Sequence, residues 1–330
     1  MEKILSCIQA TGSMHLGNYL GAIKNWVELQ TQYDCVYGVV DYHAMTVPYH
    51  AETLRKTTWN MAIDLLACGI KPENLFIQSL VPEHTELAWM LGCVTSYGEL
   101  TRQTQFKDKS QQIEEGQKES FISSGLFTYP VLQAADILMY HPDFVPVGKD
   151  QEQHIELSRN IANRFNHQFQ TEYFQEPQAL FTEIPKVLSL ADPTKKMSKS
   201  LGEKHCLYVF EDEKSLRKKI KTAVTDSGDT PEGEMSVGVA NIFGLIKACG
   251  RADLHDDLLA RYNEGERRYG DLKAALAESV MGLLLPMQAR RAELMANPKQ
   301  VEAEIRAASA QIRLKARKTL DEVREIVGLA

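Results

Sequence analysis

Two short segments of the sequence contain residues that could bind the phosphates of a nucleotide. The first reads QATGSMHLGN at residues 9–18 and lies between an apolar and an amphipathic run, which places it at a turn from a strand into a helix. N–H groups at a helix start favour an anion, and Gly12 and Gly17 allow the backbone to approach it. His15 and Asn18 add polar side chains. Alone, this segment fits a plain turn equally well, because it lacks both glycine-rich phosphate-loop patterns.

The second segment reads DPTKKMSKS at residues 192–200 and carries three lysines in a loop: Lys195, Lys196 and Lys199. Mobile ammonium groups of this kind suit a polyphosphate. By average composition, the run KMSKS is expected by chance in about one chain of this length in ten thousand. A solvated loop is the alternative interpretation, but the pairing of the two segments favours an ATP site.

The runs around these segments predict an α/β fold. The β-rich runs KILSCIQ, DCVYGVVDYH, NLFIQSL and DFVPVG alternate with segments of helical period, which is the pattern of a parallel sheet with helical crossovers. The first helix is expected to bury one stripe, formed by Leu16, Leu20, Ile23 and Val27. Beyond residue 205 the strand signals nearly vanish, and helical periodicity continues to residue 327.

These patterns predict two domains. We expect a Rossmann-like catalytic domain built on a parallel sheet at residues 1–204, with a polar insertion at about 101–124. A C-terminal α-helical domain follows at residues 205–330, and its last helix is expected to pack back on the first domain.

Composition limits the possible functions further. No apolar run approaches the roughly 20 residues that span a bilayer, so we expect a cytoplasmic protein without a membrane partner. The six cysteines include no C-x-x-C pair, and we predict no metal site in the protein itself. The net charge of −7 argues against indiscriminate nucleic-acid binding. A local basic cluster remains, KSLRKKIKTAV, in which Lys214, Arg217, Lys218 and Lys221 are candidates for contacts with RNA phosphates.

The segments at residues 9–18 and 192–200 resemble the two signatures of class I aminoacyl-tRNA synthetases. The same resemblance includes the motifs VVDYHAMTV, TQFKDKS, YPVLQAADIL and VPVGKDQEQHIELSR. Nearly the whole chain is similar to the bacterial tryptophanyl-tRNA synthetase family. The resemblance implies an aminoacyl-tRNA ligase that uses ATP with Mg²⁺, activates L-tryptophan and transfers it to the terminal adenosine of tRNA(Trp). It also implies a homodimer and an anticodon-binding role for the helical domain.

The resemblance further implies which residues form each part of the site. The expected catalytic residues are His15, Lys109, Lys196 and Lys199. The expected ATP site comprises Gln9, Ala10, Thr11, Gly12, Gly17, Asn18, Gly148, Lys149, Asp150, Val187, Lys196, Met197, Ser198, Lys199 and Ser200. The expected amino-acid site comprises Leu5, His43, Tyr129, Gln133, Asp136 and Gln151. Asp136 would accept the indole N–H, and Tyr129, Gln133 and Gln151 would hold the ammonium group.

Three alternatives remain open. Tyrosine-specific relatives also hold their substrate with a Y-x-x-x-Q-x-x-D motif, and a carboxylate such as Asp136 can accept a phenol O–H as well as an indole N–H. Leu5, Cys7, Gln133 and Lys149 replace the Phe, Gly, Met and Glu of the best-known bacterial members. A paralogue that binds tRNA without activating an amino acid is the second alternative. The third, a nucleotidyltransferase, is not expected to carry KMSKS followed by a helical region.

Overall fold

A computed structural model describes residues 1–103, 122–148, 152–181, 187–226, 230 and 234–329. Its centre is a five-stranded parallel sheet with the strand order β3-β2-β1-β4-β5. The strands are β1 (Lys3–Gln9), β2 (Asp34–Val40), β3 (Leu75–Ile77), β4 (Phe144–Val147) and β5 (Gln178–Phe181). The predicted α/β class with a parallel sheet is therefore confirmed.

Helices surround this sheet and make up the C-terminal part. The first, α1, is continuous but changes type: Leu16–Asn18 is α-helical, Tyr19–Ile23 is a π-helical turn, and Lys24–Leu29 is α-helical again. The next six are α2 (Asp41–Ala44), α3 (Ala51–Ala67), α4 (Glu83–Cys93), α5 (Tyr97–Leu100), α6 (Ser124–Leu138) and α7 (Glu152–Phe169). The last five are α8 (Glu213–Lys221), α9 (Val237–Ala248), α10 (Ala252–Asn263), α11 (Tyr269–Ala296) and α12 (Pro298–Val327). Of the helices that the structure describes, none is long and apolar enough to cross a membrane.

The strand order changes direction between β1 and β4. β1 pairs with β2 over its whole length, from Lys3 opposite Asp34 to Gln9 opposite Val40. Its pairing with β4 is confined to Ile4 opposite Phe144. The two strands therefore separate towards their carboxyl ends, and this is the position where open α/β sheets bind ligands.

The two faces of the sheet bury separate apolar clusters. One contains Leu20, Ile23 and Trp26 of α1 and continues into α9 and α11. Within it, the Trp26 ring stacks on Tyr37 with centroids 4.8 Å apart, and the Tyr37 hydroxyl donates to the Trp26 carbonyl at 2.8 Å. The other cluster contains Leu5, α4, α6 and the end of α12. The last helix thus packs on the sheet, while the domain boundary at residue 204 stays a prediction.

Several local predictions were wrong. The apolar stripe of α1 buries Trp26 completely, whereas Val27 is half-buried and packs against the edge of the same core. The run NLFIQSL forms a strand only over Leu75–Ile77, and DYH forms α2 instead of extending β2. The short strand β5 gave no recognisable signal, because its four residues are half-buried or exposed.

Candidate active site

A cavity of about 380 Å³ opens where β1 and β4 separate. The expected substrate residues that line it are Leu5, Gln9, His43, Tyr129, Gln133, Asp136 and Gly148. Tyr129, Gln133 and Asp136 follow one another at steps of four and three along α6, so all three lie on one face of this helix. The structure thus brings together the residues that were predicted for amino-acid binding, apart from Gln151, which lies outside the described residues.

The π-helical turn of α1 forms one wall of this cavity. Gly21 and Ala22, which lie in the turn, and Asn25 and Trp26 just after it all line the cavity. A π-helical turn accommodates an extra residue, and such turns are frequent at functional sites. The Asn25 side-chain nitrogen is buried and finds no hydrogen-bond acceptor within the described part of the chain. Sequence reasoning missed this residue, since its spacing fits an ordinary helix.

Asp136 lies at the buried end of the cavity and accepts three side-chain donors. His43 Nε2 lies 2.8 Å from Oδ2, and His84 Nδ1 lies 2.7 Å from Oδ1. The side-chain nitrogen of Gln78 contacts both oxygens, at 2.7 and 2.9 Å. Tyr140 continues the network, with its hydroxyl 2.8 Å from His84 Nε2.

This network keeps Asp136 ionised although its side chain is buried. Burial by itself would raise the pKa of Asp136, but the hydrogen bonds from His43 and His84 outweigh burial and lower the pKa to about 2. The nearby Cys7 thiol has a pKa well above its usual value, first through burial and then through the charge of Asp136. The cavity therefore ends in a fixed negative charge beside a neutral thiol.

Gln9 links this end of the site to the predicted phosphate segment. It is the last residue of β1, and its side-chain nitrogen donates to the His43 carbonyl at 2.8 Å. His43 in turn contacts Asp136 through its ring. A residue predicted for the ATP site is therefore connected to the amino-acid site through two hydrogen bonds.

His15 begins α1 as its N-cap. Its Nδ1 accepts from the Asn18 N–H at 3.2 Å, and the Asn18 side-chain oxygen accepts from the His15 N–H at 3.1 Å. Because Nδ1 is the acceptor, the proton of the neutral ring is assigned to Nε2. Burial, followed by the charges of Lys199 and Lys196, lowers the pKa of His15 to about 4. His15 is thus a neutral N–H donor at pH 7.

The N–H groups at the start of α1 are less available to an anion than the sequence suggested. The Leu16 N–H donates to the Leu207 carbonyl at 2.7 Å, and the Asn18 N–H is taken by the His15 ring. Gly17 has a packing reason: a Cβ built on it would lie 3.0 Å from the His15 ring. The side chain of His15 is therefore the more important donor of this segment.

The segments at residues 9–18 and 192–200 meet in the structure, although nearly 180 residues separate them in the sequence. Lys199 Nζ donates to the Thr11 carbonyl at 2.5 Å. A Cβ built on Gly12, whose φ is +65°, would lie 3.5 Å from the same nitrogen. Burial lowers the pKa of Lys199, which is half-buried, while Lys196 is exposed. One cation is therefore held against the first segment, and a second is exposed where a ligand can approach it.

Val187 and Met197 anchor the lysine loop. The Met197 N–H donates to the Val187 carbonyl at 3.0 Å, and the buried Met197 side chain belongs to the core. Ser198 and Ser200 pair through their hydroxyls at 2.9 Å. The carbonyl of Val187, a residue of the expected ATP site, already accepts this one hydrogen bond from the loop. Lys109, Lys149 and Asp150 lie outside the described residues.

The basic cluster on α8 divides into engaged and exposed side chains. Arg217 forms ion pairs of 2.7 Å with Glu213 and with Glu278, so an RNA phosphate would compete with these two carboxylates for it. Lys214, Lys218 and Lys221 are exposed on the same short helix. Across the described residues, no three His, Cys, Asp or Glu side chains lie close enough together to hold a metal ion.

Sequence reasoning missed Gln78, His84 and Tyr140. Gln78 directly follows β3 and His84 lies in the first turn of α4, and both are completely buried. A polar residue at the carboxyl end of a buried parallel strand was the available signal for Gln78. For His84 and Tyr140 the signal was weaker, since each is a lone polar residue in an apolar run.

Known proteins are similar to this chain over most of its length. Residues 2–284 match the family described as tRNA synthetases class I (W and Y). The tryptophan–tRNA ligase of Wolinella succinogenes is 41% identical over 336 aligned positions, which cover 99% of this chain and 99% of that protein. The tryptophan–tRNA ligase of Helicobacter pylori is 42% identical over 335 positions, with the same coverage.

Solved structures are similar over the same length. The tryptophanyl-tRNA synthetase of Mycoplasma pneumoniae has a TM-score of 0.86 and 34% identity, and the match covers 100% of this chain and 98% of that one. The tryptophanyl-tRNA synthetase of Campylobacter jejuni, complexed with ADP and tryptophan, has a TM-score of 0.85 and 33% identity. That match covers 99% of this chain and 100% of the other.

Proposed function

The chain belongs to the class I tRNA synthetases for tryptophan and tyrosine, and we propose that it joins L-tryptophan to tRNA(Trp) in an ATP-dependent reaction. The observation that carries the choice of tryptophan is the hydrogen bonding of Asp136. ATP is the nucleotide, since the Campylobacter jejuni neighbour is complexed with ADP and tryptophan. A cytoplasmic location belongs to the same proposal, because the enzyme acts on tRNA.

At the buried end of the cavity, the Asp136 carboxylate is the acceptor for a substrate, whereas the donors that face this carboxylate are already hydrogen-bonded to it. The nitrogens of His43, His84 and Gln78 that face Asp136 all donate to its carboxylate. An indole N–H is a donor without an acceptor, so the carboxylate satisfies it. A phenol O–H can donate to the same carboxylate, but its oxygen also buries lone pairs, and the donors that face Asp136 are already used. Leaving a polar group unpaired in such a site can reduce activation about 10⁴- to 10⁵-fold.

The activation step depends on the positions of the two substrates and on positive charge near the phosphates, and it needs no general base. The substrate carboxylate, with a pKa near 3.5, is already ionised at neutral pH. One of its oxygens attacks the α-phosphorus of ATP, the bond from that phosphorus to the bridging oxygen breaks, and pyrophosphate leaves. Lys199 and Lys196 stabilise the negative charge that develops on the phosphates, and His15 donates its Nε2–H. Mg²⁺ reaches the site as part of the substrate MgATP and offsets phosphate charge.

The second step transfers the activated amino acid. A ribose hydroxyl of the terminal adenosine attacks the carbonyl carbon of tryptophanyl-adenylate, and AMP leaves. We assign anticodon contacts to the helical residues after 205, and phosphate contacts to the exposed Lys214, Lys218 and Lys221 of α8.

Isotope exchange between ATP and pyrophosphate tests the amino-acid assignment. Tryptophan should support exchange with a kcat/KM at least about 10³-fold above that for tyrosine, in line with discrimination by an unpaired polar group. Equal exchange with both amino acids, or faster exchange with tyrosine, would contradict the proposal. Aminoacylation of tRNA(Trp) forms the second arm, because exchange without transfer would identify a protein that activates but does not ligate.

We also propose a homodimer, and an exposed apolar groove between α4 and α6 supports it. The groove has a volume of about 630 Å³ and is lined by Trp89, which is 76% exposed, and by Cys93. Tyr129 lines both this groove and the amino-acid cavity, so a second copy docked here would contact a wall of the active site. Light scattering should give twice the chain mass, and Trp89→Glu should shift it to the monomer. A monomeric wild type would contradict the assignment.

A further inference from the structure

We propose that Gln78 is a positioning residue of the amino-acid site, which fixes the Asp136 carboxylate as a pure acceptor for the ring N–H of the substrate. The inference rests on the proposed activation of tryptophan and deepens it. It adds a residue that contacts no substrate atom and acts through Asp136.

The orientation of the Gln78 amide is set by the backbone. The Tyr42 N–H, in the first turn of α2, donates to Gln78 Oε1 at 3.2 Å. A backbone N–H can face the oxygen of an amide but not its NH₂ group, so Nε2 must point the other way. There it meets both oxygens of Asp136, at 2.7 and 2.9 Å.

Gln78 differs from the other two donors in the network. His43 and His84 each contact one oxygen of Asp136. The amide of Gln78 bridges both oxygens and remains a donor at every pH. It therefore fixes the plane of the carboxylate, and it does so from a side chain with 0% exposure.

The titratable groups that face Asp136 come from four parts of the fold. They are His43 of α2, His84 of α4, Cys7 of β1 and Tyr140 after α6, and the Tyr140 hydroxyl contacts His84 instead of Asp136 itself. Neither Cys7 nor Tyr140 ionises near neutral pH, because burial raises the pKa of both well above the usual value. Cys7 and Tyr140 therefore add no pH dependence near neutral pH, and the pH profile of Gln78→Met, which introduces no titratable group, is the reference for that of Gln78→Glu.

Two variants separate positioning from simple packing. Gln78→Met removes the donor at similar volume, and kcat/KM for tryptophan should fall about 10- to 100-fold with little change in the KM for ATP. Gln78→Glu places a second carboxyl against Asp136, and two carboxyls at this distance share one proton. At low pH the introduced carboxyl, when protonated, should donate to Asp136 and restore most of the activity. As the pH rises and the shared proton leaves, activity should fall about tenfold per pH unit.

Gln30 provides the matched control. It is also a buried glutamine, with Nε2 donating to the Gly69 carbonyl at 2.7 Å and Oε1 accepting from the Lys71 N–H at 3.0 Å, away from the cavity. Gln30→Met and Gln30→Glu should lower stability without changing the pH profile of kcat/KM. A Gln78→Glu profile parallel to that of the wild type, or Gln78→Met activity equal to wild type, would overturn the proposal.

A direct titration distinguishes failure of this inference from failure of the proposed function. The Asp136 carboxyl carbon, assigned by the disappearance of its signal in Asp136→Asn, is followed by NMR in the wild type and in Gln78→Met. Removal of the Gln78 donor should raise the pKa of this carboxyl from its low wild-type value. An unchanged pKa would overturn the role of Gln78 whichever amino acid is activated. Absence of tryptophan exchange in the wild type would instead overturn the proposed function.

Discussion

The two ends of the active site hold their charges in opposite ways. At the amino-acid end, Asp136 is 3% exposed and accepts hydrogen bonds from three side chains that belong to separate elements. At the phosphate end, Lys199 contacts the Thr11 carbonyl from a half-buried loop, and Lys196 is exposed. A buried, fully hydrogen-bonded charge cannot move without a large cost, whereas a lysine on a long stem can follow its ligand.

This difference separates selection from catalysis. The amino-acid end presents one fixed acceptor and rejects ligands that do not match it, because each mismatch leaves a polar group unpaired. The phosphate end must follow a group whose charge and geometry change during the reaction, so adjustable cations suit it. We expect substitutions at the first end to change which amino acid is used, and substitutions at the second to change how fast the adenylate forms.

Asp136→Asn provides the strongest test of this separation. The side-chain amide of the new Asn would either turn its NH₂ group towards the indole N–H or lose the hydrogen bonds that Asp136 accepts from its neighbours. Tryptophan-dependent exchange should therefore fall by about 10⁴-fold, while the KM for ATP changes little. Asp64→Asn is the control. Asp64 lies on α3, outside the cavity; it is also buried, and it pairs with Arg291 at 2.5 Å. It should lower the melting temperature and leave selectivity intact. A small effect of Asp136→Asn would show that selection resides elsewhere.

Lys199→Ala examines the other end. Removing one donor that stabilises the developing phosphate charge should lower the rate of adenylate formation about 10²- to 10³-fold, with tryptophan affinity nearly unchanged. Lys195→Ala in the same loop is the control, because Lys195 pairs with Asp192 at 3.3 Å and is exposed. Rapid-quench measurement of the first turnover separates the rate from binding. A parallel drop in tryptophan affinity would break the separation between the two ends.

His15 allows a test through pH. Its pKa is about 4 in the folded protein and about 6.5 when unfolded, so the unfolded chain takes up a proton first as the pH falls. The stability contribution of the neutral ring is complete above about pH 6.5 and disappears progressively down to about pH 4, by up to about 3 kcal/mol. Urea unfolding of His15→Asn, which keeps a capping side chain, should lack this component. An identical pH dependence in both proteins would mean that His15 is not held neutral.

The smallest effect is expected far from both ends. Replacement of Lys214, Lys218 and Lys221 by Gln should weaken tRNA binding modestly, and the slope of its salt dependence should fall by about one unit for each phosphate that is no longer bound. Amino-acid selectivity and adenylate formation should not change. Filter binding across a series of salt concentrations measures the slope, and an unaltered slope would remove α8 from the tRNA interface.

The features that sequence could predict are those with a local pattern. β1, β2 and β4 stand out as apolar runs, and the stop of α3 at Gly69 fits a glycine with φ of +105°. The segment around Lys199 could be recognised because its residue types and order are rare, and the segment around His15 could be interpreted only beside it. The family resemblance implied Tyr129, Gln133 and Asp136 for the amino-acid site, and the structure places all three on one helical face.

The remaining features depend on contacts between distant segments. No local rule reveals that the residues after 205 brace the first segment, as when the Val209 N–H donates to the Met14 carbonyl at 3.0 Å. Gln78 and His84 lie 58 and 52 residues before Asp136 and become its partners only when β3, α4 and α6 pack together. The start of α1 seemed rich in free N–H groups, because the carbonyl of Leu207 that occupies one of them comes from a remote part of the chain.

The π-helical turn at Tyr19–Ile23 makes the cavity wall depend on the length of the chain as well as on its residues. Such a turn accommodates one extra residue within an α-helix, so the removal of one residue from it would leave a regular α-helical turn between the same two anchors. These anchors are the Leu16 N–H, which donates to the Leu207 carbonyl, and Trp26, which stacks on Tyr37. A single-codon deletion in this turn should therefore keep His15 beside Lys199 and reshape the wall at Gly21 and Ala22, so that the use of tryptophan changes before the chemistry at the phosphates does.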